Sequence, residues 1–229
     1  MNGIGWENDE LFTTEGSKSL VVWESSDLTT WSGPTLPVVS PENAGMTWAP
    51  DAIWDPAKEE YMVFWTSNIE GSGFQTLRSY TPDFKTFSPA ESYVSLGMDN
   101  TIALDNDAGL YYMISKNGPG ELIQQNVAES LEGPWTKVSE EIGSGQVAAG
   151  EGGLIFQNNA DPSKVRLSWW DSGGACSTNS AQWHLWIDNY TTGGGYVPLE
   201  TGDIASGQWT PSEGFTLPEG PRHGYVVAM

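Results

Sequence analysis

The chain has 229 residues, with 30 Asp and Glu against nine Lys and Arg, a formal net charge of −21 and a pI near 4.1. Nine basic residues cannot build the clustered phosphate contacts of a nucleic-acid surface, so DNA and RNA are excluded as partners, and the acidity reads as a solubility feature. Twelve Trp, 27 Gly and 14 Pro, with almost no helical periodicity, describe a turn-rich, aromatic-rich all-β protein.

Taken in order, residues 1–18 are polar and irregular, and the start Met1-Asn-Gly-Ile-Gly-Trp6 lacks the basic region and apolar core of a secretory signal. Leu20 to Trp23 and Pro34 to Val39 read as strands joined by the turn Ser25 to Trp31, so 19–40 is expected to be the outer part of a blade-like sheet. Thr47 to Asn68 reads as a β-hairpin, in which Ala52-Ile53-Trp54 meets an Asp-Pro turn and the run Tyr61 to Trp65 follows. Five large apolar residues in a row suit a strand covered on both faces. A second hairpin runs from Met98-Asp99-Asn100 through an Asp-Asn-Asp-Ala-Gly turn to Leu110–Ile114. A third pairs Leu154-Ile155-Phe156 with Val165–Trp169 across the turn Gln157 to Lys164, followed by a Gly/Ser/Asn-rich insertion, Asp171 to Gln182. Trp183–Ile187 and Gly195–Leu199 resume strand patterns, and Arg222 to Ala228 opens another inner strand.

No segment has the length of a membrane span. The single cysteine, Cys176, cannot form an internal disulfide and reads as an incidental thiol in the insertion.

The hairpin heads Ala49, Asp99 and Glu151 lie 50 and 52 residues apart. Between them recurs a turn with a polar residue, an apolar one and an aromatic, as in Asp27-Leu28…Trp31 and Asp83-Phe84…Phe87. A repeat near fifty residues, made of about four strands, is the signature of a propeller blade. The expected single domain has blades over 47–95, 97–140 and 148–210, with partial blades at 19–40 and 222–229. A β-sandwich with coincidental repeats is the alternative.

In a propeller the inner strands surround the axis and their entry ends face one mouth. The openings there read Trp48-Ala-Pro-Asp51, Met98-Asp99-Asn100, Gly150-Glu151-Gly152 and Arg222-His223-Gly224. Indole faces stack on sugar C–H surfaces, polar groups bind hydroxyls, and crowded carboxylates supply an acid with a raised pKa. Asp27, Asp55, Asp83 and Asp105 occupy turn positions and read as local caps. Asp51 could bind substrate, anchor its strand or substitute as a base, and His223 could be a base, a metal ligand or a tuning group.

Together these segments resemble glycoside hydrolase family 43, the five-bladed propeller hydrolases of arabinan and xylan side chains; Val21–Trp31 and Gly195–Thr201 resemble its flanking stretches. The resemblance implies an inverting mechanism with a general base, a pKa-tuning Asp and a general-acid Glu. By it Asp99 resembles the tuner, Glu151 the acid and Trp48 an aromatic wall of the sugar subsite. Arg222 and His223 resemble polar groups near the axis, the His sometimes close to a central cation; no cofactor is required, and a central Ca²⁺ is conceivable but not indicated by sequence. The implied partner is an arabinan- or xylan-type oligosaccharide bound by a monomer, and the family is typically secreted. Two departures stand out. The Arg-Asp-Pro-type stretch carrying the base has no counterpart before Leu20, and Glu151-Gly152-Gly153 stands where relatives carry Glu-Gly-Pro. The chain is therefore expected to hold two of three catalytic carboxylates. It would then be a slow glycosidase, a sugar-binding domain without turnover, or a fragment with an open ring.

Overall fold

The structure, a computed structural model, describes residues 13–116, 122–158, 183–190 and 195–212. These residues are all-β apart from short turns, and their strands form three four-stranded sheets rather than the two of a sandwich. The first sheet holds β1 (Trp48–Asp55), β2 (Glu60–Ile69), β3 (Gly73–Thr81) and β4 (Glu91–Ser92), in sequence order and antiparallel throughout. The second holds β5 (Met98–Asp105), β6 (Leu110–Lys116), β7 (Ile123–Ala128) and β8 (Thr136–Ile142). The third holds β9 (Glu151–Gln157), β10 (Trp183–Asp188), β11 (Tyr196–Thr201) and β12 (Thr210–Pro211), again antiparallel.

The first two of the three predicted hairpins turn by the same local chemistry. Asp55 Oδ1 accepts from the Ala57 N–H at 2.9 Å while its carbonyl accepts from Lys58 and Glu59, and Glu59 takes a left-handed φ of 55°. Asp105 Oδ1 likewise accepts from Asp107 and Ala108, and the Asp105 carbonyl accepts from Gly109, at φ 68°. The outer turns repeat as well. Asp27 Oδ1 accepts from the Thr29 and Thr30 amides and Asp83 Oδ1 from those of Lys85 and Thr86, with Leu28 and Phe84 left-handed between. Backbone donors stabilise the ionised form. The Thr30 and Thr29 amides lower the Asp27 pKa to about 2, and those of Thr86 and Lys85 lower that of Asp83. All four residues are caps, as their spacing predicts.

One expectation changes, and a second falls outside the described residues. Residues 19–38 form only isolated bridges, Ser19↔Val38 and Val22↔Thr35, not paired strands. Leu20 N–H donates to the Pro37 carbonyl, but Pro37 has no N–H to return the bond, so the ladder is cut there. In the third sheet the partner of β9 is β10, with Gln157 opposite Trp183, whereas the expected partner Val165–Trp169 and the insertion lie outside the described residues.

The chain divides into two compact units, Met1–Ile102 with Ser115–Gly118, and Ala103–Ile114 with Pro119–Met229. In the first, Met62 to Trp65 are buried on both faces, and Val63, Trp65, Ile69 and Leu77 pack with Leu20, Val39 and Ala44. Tyr61, at the edge of that run, is exposed and sits between two rings, edge-on to Trp54 and tilted against Phe84. In the second, Tyr112 and Ile114 pack with Ile123, Ile142, Ile155, Leu185, Ile187 and Leu199. There the buried Gln125 ties two elements down: its Nε2 donates to the Ile204 carbonyl at 2.7 Å, and its Oε1 accepts from Trp209 Nε1 at 2.8 Å.

Candidate functional site

Trp48, Asp51 and Asp99 are gathered within the first unit. Trp48 opens β1, and its partner across the β1–β2 ladder is Thr66. The span from Trp48 to Asp51 faces only Thr66 to Phe64, so β1 carries one extra residue, and Ala49 takes a φ of 45° in the bulge. A bulge re-aims the side chains on either side of it. Trp48 stays 38% exposed while Asp51 is partly buried. Thr66, itself buried, accepts the Asp99 N–H on its Oγ1 at 3.3 Å, so it faces Trp48 through the ladder and holds Asp99 through its hydroxyl.

Asp51 is bound from the next hairpin. Thr101 Oγ1 donates to Asp51 Oδ2 at 2.7 Å, the Ala52 N–H donates to Oδ1 at 2.7 Å, and the Ile102 N–H also reaches the carboxyl. Burial outweighs these donors and pushes the Asp51 pKa up to about 6. Asp51 and Thr101 are 50 residues apart, so the repeat length read from the sequence is the length of a direct contact. Sequence reasoning passed over Thr101, Thr66 and Asn100; for Thr101 the signal was present, since it occupies the position of Asp51 one repeat later.

Asp99 adopts a left-handed φ of 52° at the head of β5. Two residues earlier Gly97 has φ 116°, and a Cβ there would lie 2.1 Å from the Lys116 carbonyl oxygen. The close approach of the β5 entry to the end of β6 therefore requires glycine. Asn100, also buried, is bonded at both ends of its amide to Thr76 and Ser115.

Glu151 opens β9 in the second unit, partly buried and opposite Asp188. Its strand carries the same bulge, with Glu151 to Leu154 facing Asp188 to Trp186 and Gly152 at φ 49°. The left-handed residues are thus Ala49, Asp99 and Gly152, so the positional equivalence of Asp99 and Glu151 shifts by one. Glu151 matches Trp48 and Met98. The departure at Gly153 has a packing cause, because a Cβ there would lie 2.8 Å from Ile114 Cγ2. Arg222 and His223 lie outside the described residues. Among the described residues no group of three His, Cys, Asp or Glu side chains is placed to hold a metal ion.

The first unit therefore presents an indole face, a carboxyl with a raised pKa and a carboxylate on a strained backbone, all chemistry suited to a sugar ring and a proton. A family described as "probable glycosyl hydrolase domain", related to glycoside hydrolase family 43, matches residues 1–229. The chain belongs to that family.

This glycosyl hydrolase domain is 28% identical over 144 residues to an α-L-arabinofuranosidase of Bifidobacterium longum subsp. longum, a match covering 52% of the chain and 13% of that protein. Solved structures with a similar fold include exo-β-1,3-galactanase from Phanerochaete chrysosporium with galactose (TM-score 0.59, 15% identity, 90% of this chain and 45% of that one). Exo-β-1,3-galactanase from Clostridium thermocellum gives a TM-score of 0.58 at 13% identity, covering 83% of this chain and 41% of that one. A thermostable family-43 glycoside hydrolase gives 0.55 at 14%, covering 86% of this chain and 65% of that one. The domain spans less than half the length of either galactanase.

Proposed function

We propose that the domain is part of a five-bladed propeller of the family-43 type, with each four-stranded sheet a blade, that binds arabinofuranosyl or xylosyl units of plant cell-wall polysaccharide and cleaves their linkages with inversion. In this reading Glu151 is the general acid that protonates the leaving oxygen, and Asp99 is the pKa-tuning carboxylate that the family resemblance implies. Trp48 stacks on the sugar, Asp51 borders the subsite, and Arg222 and His223 serve as polar groups near the axis. The observation that supports the reading is that Thr66 joins the heads of two hairpins, facing the exposed Trp48 across the β1–β2 ladder and accepting the Asp99 N–H at 3.3 Å.

Hydrolysis of aryl α-L-arabinofuranosides, β-D-xylosides and β-D-galactosides by the wild-type chain and by Glu151→Gln and Asp99→Asn tests it. Glu151→Gln is expected to lower kcat by about 10²–10⁴ on poor leaving groups. Asp99→Asn should move the alkaline limb of the kcat/KM profile to lower pH. Rates indifferent to both substitutions would reject the assignment, and preference for the galactoside would replace arabinose and xylose as substrates.

One observation fits a second reading equally well, sugar binding without turnover: Trp48 stays 38% exposed at the head of β1, a stacking surface that needs no proton transfer. Calorimetry with arabino-oligosaccharides separates the two, because heat of binding without released sugar selects the second.

A further inference from the structure

We propose that Asn100 is the positioning residue for Asp99, a role that rests on reading Asp99 as a site carboxylate. Asn100 follows Asp99 directly and is 5% exposed. Its Nδ2 donates to Thr76 Oγ1 on β3 at 2.8 Å and reaches the Gly97 carbonyl at 3.5 Å. Its Oδ1 accepts from Ser115 Oγ on β6 at 2.6 Å, and Thr76 Oγ1 donates to the same Gly97 carbonyl at 3.3 Å. One buried amide thus ties the backbone before Asp99 to the strands on both sides, while the Asp99 N–H is held by Thr66.

A non-glycine residue in the left-handed region costs about 1–2 kcal/mol and persists only where its surroundings over-determine it. Among the described contacts, the Asn100 amide makes the bonds that join this bend to β3 and β6 together, beside the single bond from the Asp99 N–H to Thr66. The bend, in turn, sets the direction in which the Asp99 side chain leaves the strand, because an extended residue there would project to the opposite face. Chemistry singles out asparagine. Alanine would take away the acceptor of the Ser115 hydroxyl and the donor to Thr76 Oγ1, and aspartate would bring no N–H for Thr76.

The test is a double-mutant cycle in the full chain with Asp99→Asn, Asn100→Ala and both together, read by kcat and KM. The backbone chemical shifts of Asp99 and the melting temperature are recorded in parallel. Asn100→Ala is expected to lower kcat about tenfold to a hundredfold with KM little changed, and to move Asp99 out of its left-handed shift pattern. The double variant should be no slower than Asp99→Asn alone, since a residue acting through another adds nothing once the other is gone. Multiplicative losses in the double variant, or an Asp99 that stays left-handed without Asn100, would overturn the role. The shift measurement decides even where turnover is too slow to measure. An Asp99→Asn chain as active as wild type would instead reject the reading of Asp99 itself, and the role of Asn100 with it.

Discussion

Opposing forces act on the Asp51 carboxyl. Removal from water raises its pKa, three hydrogen bonds lower it, and removal from water prevails, taking the value from 3.8 to about 6. A carboxyl whose folded pKa exceeds its unfolded one binds more protons when folded. Its stabilising contribution is complete below pH about 4 and is lost as pH rises through about 6. The full shift corresponds to about 3 kcal/mol at 1.4 per unit, and partial exposure of Asp51 reduces this to about 1–2 kcal/mol. Asp51→Asn cannot titrate, so urea unfolding should show it gaining about 1–2 kcal/mol on the wild type between pH 4 and pH 7. A difference that stays constant across that range would show that Asp51 titrates normally. Asp27 and Asp83 mark the contrast in what a sequence discloses. Their partners lie two and three residues away, so their role as caps is legible from spacing alone, whereas the burial of Asp51 depends on Thr101 from the next repeat.

At the scale of elements, the first two hairpins are legible because an Asp-initiated turn and an apolar run are both local signals. The break at Pro37 is readable in principle, since a residue without an N–H cannot complete a ladder, but apolar content alone predicts a strand there. The β9–β10 pairing is not legible, because an equally apolar run, Val165–Trp169, sits closer in sequence and nothing local ranks the two. Nor are the bulges at Ala49 and Gly152, which displaced the predicted equivalence of Asp99 and Glu151 by one residue. Glycines separate backbone strain from steric contact. Gly73 has φ 76° with nothing within 4 Å of its would-be Cβ, whereas Gly97 has φ 116° and a carbonyl oxygen at 2.1 Å. Gly73→Ala should cost only the conformational penalty, about 1 kcal/mol. Gly97→Ala adds an overlap that backbone must relieve, for a total of about 2–4 kcal/mol. Chemical denaturation compares them, and equal losses would mean that the β5 entry yields freely.

Across the whole molecule, charge dominates. A net −21 on 229 residues makes the folded chain repel itself, because folding brings carboxylates closer than they stand in an extended chain. Attractive pairs work against this, among them three between described residues. Lys85–Glu24 and Lys137–Glu140 are more than half exposed at both ends, so each is worth little, and Arg78–Glu91 at 2.9 Å is the better shielded. Repulsion summed over many exposed carboxylates therefore outweighs attraction from a few exposed pairs. Added salt screens both, shortening the Debye length from about 30 Å at 0.01 M to about 8 Å at 0.15 M. The melting temperature is expected to rise by a few degrees over that range, which corresponds to about 1 kcal/mol in a chain of this size. Replacing NaCl by another 1:1 salt should give the same rise, since screening depends on ionic strength and not on ion identity. A melting temperature that falls with salt would mean that specific ion pairs, not net charge, set the electrostatics of the fold.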